Sequence, residues 1–192
     1  MPLTQRFTAA LEFAAELHRT QIRKGSGIPY IAHLLGVASI ALEYGADEDE
    51  AIASLLHDAI EDQGGARTRE EIRRRFGDRV TAIVDGCTDA EVMPKPPWRQ
   101  RKEEHLRHLS RAEPSVALVA TADKLHNARA ILKDYRVLGE PLWHRCRGGK
   151  DGTLWYLRAV VDALEAAGRT PIVDELRLVV TDIERLAGGD GR

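Results

Sequence analysis

Apolar side chains in this chain recur every three or four positions in one segment after another, the spacing that lines one face of an α-helix. Between Thr4 and Thr20 the stripe is Phe7, Ala10, Leu11, Ala14 and Leu17, and His18 continues it. A second helix is expected from about Tyr30 to Tyr44, with His33, Val37, Ile40 and Ala41 on one side and Gly45 in the usual C-terminal position. Asp47 and Glu50 resemble a capping box opening a third helix, which carries LLHDAIED through Asp62 and closes at Gly64 and Gly65. Thr68 and Glu71 suggest another such box for a short helix ending at Gly77, and RVTAIVDGC is read as helical despite its β-branched residues.

The second half continues the pattern. EVMPKPPWRQ, with three prolines, reads as a loop before the charged helix RKEEHLRHL. Pro114 suits the first turn of a helix whose run VALVATADKLHNARAIL is apolar enough to lie deep. GEPLWHRCRGGKDG reads as a second loop, followed by the helix LWYLRAVVDALEAA and a last helix from Pro171 to Leu186. The expectation is an all-α bundle of about nine helices, a single domain over residues 1–187 with a frayed tail at 188–192.

Composition narrows the function. No apolar run approaches the roughly 20 residues that cross a bilayer, and the first residues lack a basic-then-apolar signal, so a cytoplasmic protein without membrane partners is expected. Cys87 and Cys146 are too few for a disulfide framework, and neither belongs to a C-x-x-C pair; both read as plain buried or half-buried thiols. A formal charge of −2 argues against nucleic-acid binding, which requires many phosphates to be neutralised. An anionic ligand must therefore meet a local basic cluster. Whether the chain forms a homo-oligomer is left open.

In SLLHDAIEDQ, four polar residues interrupt an otherwise apolar helix. His57 with Glu61 and Asp58 with Asp62 stand four apart, and Asp58 with Glu61 three apart, which on a continuous helix gathers all four over one sector. Three carboxylates so close repel one another unless a cation neutralises them. The His-Asp pair alone is more often a solvated helix end with a core histidine. However, His33 lies in the apolar stretch YIAHLLGVA and Asp123 in LVATADKLHNARAIL, where a lone carboxylate is costly to bury. Together they offer two nitrogens and two oxygens, a set that suits manganese, iron or another divalent metal better than the thiolates of structural zinc.

The ordered pattern H…HD…D resembles the HD phosphohydrolase superfamily. RKGSGIPYIAH, LLHDAIED and ADKLHNAR are more closely similar to the hydrolase domain of RelA/SpoT-type alarmone enzymes, in particular the stand-alone small alarmone hydrolases, from about residue 5 to 165. The resemblance implies metal ligation by His33, His57, Asp58 and Asp123, with Glu61 and Asp62 orienting and deprotonating the attacking water. It implies that Arg23, Lys24, Ser26 and Tyr30 lie at the substrate, and that Lys124, Asn127 and Arg129 flank the nucleotide. It further implies manganese-dependent removal of the 3′-pyrophosphate of ppGpp or pppGpp, giving GDP or GTP. With no synthetase region following, degradation alone is expected. Glu61, one turn beyond His57, is the better placed base, and Arg23 and Lys24 beside glycines can swing onto a pyrophosphate.

The remaining residues carry plainer readings. His126 is read as a core histidine rather than support for a ligand, and Arg129 is as readily a structural ion pair. His18, His105, His108 and His144 show no ligand spacing. Arg99, Arg101 and Lys102 read as a solvated face, with substrate entry there left open, and Trp155 and Tyr156 as core, with a contact of either to the base left open. An adenosine alarmone such as pApp or ppApp, another HD-type nucleotidase or phosphodiesterase, and a sensor that binds an alarmone without cleaving it stay open.

Overall fold

Local signals decide where most of the helices begin. The computed structural model describes residues 2–88 and 96–189. Helices α1 (Gln5–Leu17), α2 (Ile31–Glu43) and α3 (Glu48–Leu56) follow one another; the first is capped by the Thr4 hydroxyl accepting from Arg6 N at 3.1 Å. The expected capping box of α3 is present: Asp47 Oδ1 accepts from Glu50 N at 3.0 Å while Glu50 Oε2 accepts from Asp47 N at 2.8 Å. Then come α4 (Ala59–Asp62), α5 (Ala66–Phe76), α6 (Asp78–Cys87), α7 (Trp98–Leu109) and α8 (Pro114–Leu138), the last with Pro114 in its first turn. A 3-10 helix (Glu140–Arg145), α9 (Gly149–Ala167) and α10 (Pro171–Gly189) complete the described chain.

An all-α fold is therefore observed, with ten α-helices among the described residues rather than about nine. The extra one arises because the third helix does not run on to Asp62. It stops at Leu56, and His57 and Asp58 form a hinge between α3 and the single turn of α4. Thr68 does not cap a helix either; it lies inside α5, its hydroxyl donating to the Gln63 carbonyl. The second expected loop is mostly helical, because EPLWHR winds into the 3-10 turn and GKDG opens α9. Gly188 and Gly189 belong to α10, while the rest of the expected tail and residues 91–95 of EVMPKPPWRQ lie outside the described residues, and the last three residues of that segment open α7. None of the described helices is long and apolar enough to cross a membrane.

Two apolar clusters share two helices. Leu34 and Ala38 of α2 and Val116 and Val119 of α8 pack with α1, α3, α5 and α6. Val37, Ile40 and Ala41 of α2 and the rest of α8 pack with α9 and α10. The seam between the clusters thus runs along α2 and α8, and these are the helices that carry His33 and Asp123. Between α1 and α2 an antiparallel bridge from Ile22 to Pro29 pinches the loop, with Arg23 N donating to Ile28 O at 2.8 Å. Gly25 (φ 82°) and Gly27 (φ 70°) make the tight return inside it, a left-handed conformation that side chains resist. That turn presents Arg23, Lys24 and Ser26 toward the seam.

Leu164 is fully buried in α9, remote from the polar seam. Leu164→Ala is expected to cost about 2–5 kcal/mol through lost burial and a residual cavity. The midpoint of urea unfolding, at unchanged slope, measures it.

Candidate active site

Four of the expected ligand atoms meet at the seam. His57 Nε2 lies 3.0 Å from Asp58 Oδ2 and 3.7 Å from Asp123 Oδ1. His33 Nε2 lies 3.2 Å from Asp123 Oδ1 and 3.7 Å from Asp58 Oδ2. His33, His57 and Asp58 each offer a ligand atom within 4.8 Å of the others', and Asp123 faces the same two imidazoles. The hinge after Leu56 makes this geometry: it frees Asp58 to turn toward His33 on α2 instead of following the rotation of α3.

The cluster calls for a cation. His57 Nδ1 donates to the Ser54 carbonyl at 2.8 Å, so Nε2 points its lone pair at the carboxylates and, fully buried, makes no hydrogen bond. A lone pair 3.0 Å from a carboxylate oxygen is repulsive unless something positive sits between them. Without a metal a proton does so: burial alone would lower the His57 pKa, but Asp58 and Asp123 outweigh it and raise it to about 9. Burial would likewise push both carboxyls up. Yet His57 holds Asp58 below its ordinary range, and Lys124, 2.6 Å away, with His57 holds Asp123 well below its own. A divalent ion relieves the same repulsion with twice the charge, and a donor set of imidazoles and carboxylates fits one.

The surrounding contacts fix the donors in place. Tyr30 OH donates to Asp58 Oδ2, and burial together with Asp58 pushes the phenol's pKa up, so it remains a donor. Asn127 Nδ2 donates to Asp123 Oδ1 at 2.6 Å. Arg23 Nη2 in turn donates to Asn127 Oδ1 at 2.8 Å. Asp62 accepts from Gln21 Nε2 at 2.8 Å, while Gln21 Oε1 lies 2.6 Å from Gln63 Nε2 and 2.7 Å from His18 Nδ1. The His18 ring stacks on Tyr30 with centroids 5.3 Å apart, joining the supports of Asp58 and Asp62.

These groups open into a polar chamber of about 460 Å³. His33, Asp58, Asp123, Glu61 and Asp62 line it together with Lys24, Arg101, Lys102, Lys124 and Arg147. A second cavity of about 350 Å³ adjoins it, sharing Lys24, Lys102, Lys124 and Asn127; Arg23 and Ser26 lie at its wall, and Ile131, Leu142, Tyr156 and Leu157 give it an apolar side. Of the expected substrate residues, only Arg129 is not brought there: it pairs with Glu175 at 3.2 Å and lines neither cavity.

Sequence reasoning missed the contribution of α7. Its buried residues are Arg101, His105 and Leu109, spaced by four on one face, and Arg101, Lys102 and His105 line the chamber. Polar residues in register with a buried leucine were the available signal. Tyr156, read as core, is half-buried and lines the second cavity, and Trp155 packs under Arg99, whose guanidinium lies 3.2 Å from its ring centroid. His126, read as a core residue, instead touches His33.

A family model described as HD domain matches residues 10–138, and the chain belongs to that family. Among its relatives, the guanosine-3′,5′-bis(diphosphate) 3′-pyrophosphohydrolase MESH1 of Xenopus tropicalis is 43% identical over 125 residues, covering 64% of this chain and 67% of that one. The protein named guanosine-3′,5′-bis(diphosphate) 3′-pyrophosphohydrolase from Aquifex aeolicus is 41% identical over 125 residues, and the match spans 17% of its length. A solved structure of a metazoan ortholog of SpoT that hydrolyses ppGpp superposes with a TM-score of 0.78 at 27% identity, over 98% of each chain.

Since His57 carries a proton up to about pH 9 without metal, a divalent ion must displace it. Calorimetric Mn²⁺ titration at pH 7 in buffers of different ionisation enthalpy is expected to show release of about one proton, falling as the pH is raised toward the His57 pKa. Binding at pH 7 without proton release rules out this account of the cluster.

Proposed function

We propose that residues 1–187 form an HD hydrolase domain that removes the 3′-pyrophosphate of ppGpp or pppGpp, giving pyrophosphate and GDP or GTP, with Mn²⁺ as the metal. The observation that carries this reading is the pairing of two adjoining cavities. One holds the donor cluster, the Glu61 and Asp62 carboxylates and five cationic side chains; the other has a partly apolar wall. Five cations around one acidic centre suit a ligand carrying several negative charges close together, and the apolar wall suits a nucleoside. The printed names of the relatives accord with the same substrate.

In this proposal His33, His57, Asp58 and Asp123 hold the metal. When bound, a divalent ion lowers the pKa of water near it and draws negative charge from phosphoryl oxygens. Manganese suits a site of nitrogen and oxygen donors. Cys87 also lines the chamber, where burial pushes its thiol up to about 12. Glu61 takes the proton of the attacking water. Asp62, held by Gln21, keeps its orientation beside it. Lys24, Lys102, Arg101 and Arg147 receive the pyrophosphate, while Lys124 divides its charge between Asp123 and the substrate.

Two outcomes are expected. Glu61→Gln lowers kcat by about 10²–10⁴-fold with KM little changed, because the amide keeps the volume but takes no proton; steady-state kinetics at saturating Mn²⁺ measures it, and a parent-like kcat removes Glu61 from the role of base. Mass analysis of products from a panel of 3′-pyrophosphorylated guanosine and adenosine nucleotides should find pyrophosphate, lost on chelation and restored by Mn²⁺. Release of orthophosphate alone points to an ordinary nucleotidase, and binding without turnover to a sensor.

A further inference from the structure

We propose that His126 is the positioning residue of the metal site, and that Gly36 exists to make room for it. The inference rests on the reading of His33 as a metal ligand. His33 Nδ1 and His126 Nδ1 lie 3.0 Å apart, so one of them must carry the hydrogen and the other must accept it. Arg23 decides which. Its Nη1 lies 3.3 Å from the same His126 Nδ1, and a guanidinium only donates. The His126 Nδ1 atom therefore presents a lone pair to both neighbours, His33 carries its hydrogen on Nδ1, and His33 Nε2 is left bare toward Asp123 and Asp58.

Arg23 thus sets the tautomer of a ligand it does not touch. Its other nitrogen donates to Asn127, which donates to Asp123, so the one guanidinium orients two of the four donors. A histidine ligand ordinarily gives its second N–H to a carbonyl, a carboxylate or water. Here a neutral imidazole takes that place, one turn past Asp123 on α8, and its own hydrogen falls on Nε2.

Gly36 supplies the space. It lies one turn after His33 on α2, and a Cβ built there would stand 2.3 Å from both Cδ2 and Nε2 of His126. Any side chain would drive the ring away from His33. Glycine inside a helix is destabilising relative to alanine, so its presence in IAHLLGVA has a reason in the contact it permits.

The test is Mn²⁺ affinity of the full chain, by calorimetry, in four proteins: the parent, His126→Leu, His126→Asn and Gly36→Ala. His126→Leu is expected to bind Mn²⁺ about 10–100-fold more weakly. His126→Asn places an amide oxygen near the former Nδ1 and is expected to recover most of that loss. Gly36→Ala should weaken binding as His126→Leu does, although every ligand and His126 itself are retained, and combining the two should add little. Nitrogen-15 shifts of the metal-free parent should show His33 hydrogenated on Nδ1 and His126 on Nε2. Parent-like Mn²⁺ affinity in His126→Leu overturns the proposal, as does a failure of asparagine to outperform leucine; should Gly36→Ala not fold, these two variants decide it. A parent that takes up no Mn²⁺ overturns the metal assignment itself, while the nitrogen shifts still judge the hydrogen-bond order.

Discussion

Two carboxylates and two imidazoles are packed into the seam between apolar clusters, and the fold is organised around making that arrangement tolerable. Asp58 and Asp123 sit where burial opposes their charge, and both nevertheless remain ionised because His57 and Lys124 supply compensating charge. Such a group is stable only while its net charge is balanced, since an unpaired buried ion is far costlier than a paired one. A proton on His57 balances it partly; a divalent cation balances it better and leaves coordination positions for chemistry.

Rigidity follows from the same centre. Each donor is held by a contact of its own: His57 by the Ser54 carbonyl, Asp58 by Tyr30, Asp123 by Asn127 and Lys124, and His33 by His126. These partners come from α3, α8 and the residue just before α2, all of which pack against the two cores. Position matters here because a ligand displaced by a fraction of an ångström loses affinity that no change in charge restores. The loop carrying Lys24 and Ser26, by contrast, is exposed from Lys24 to Pro29, which suits side chains that must receive a ligand and let it go.

The two cavities divide the work of recognition. The chamber at the donor cluster is crowded with charges of both signs, which in the proposed reading suits phosphate; the adjoining cavity has an apolar wall from α8, α9 and the 3-10 turn, which suits a flat organic group. Lysines 24, 102 and 124 stand at the boundary and face both.

The all-helical character, the capping box at Asp47, Pro114 at the start of α8 and the spacing of His33, the His57-Asp58 pair and Asp123 were all legible in the residues, because helix periodicity and caps are local properties and buried charges stand out in apolar runs. The break at His57-Asp58 was not. Its sequence is compatible with continuous helix, and the hinge there goes with the hydrogen bond Asp58 accepts from Tyr30, a residue from elsewhere in the chain. Likewise, nothing in α7 by itself aims Arg101 and His105 at the chamber, and nothing in LHNAR shows that His126 meets His33 across a glycine. Sequence determined which residues would be helical and which charges needed a partner; tertiary packing decided which partner each one found, since that depends on the distances between helices that no local pattern encodes.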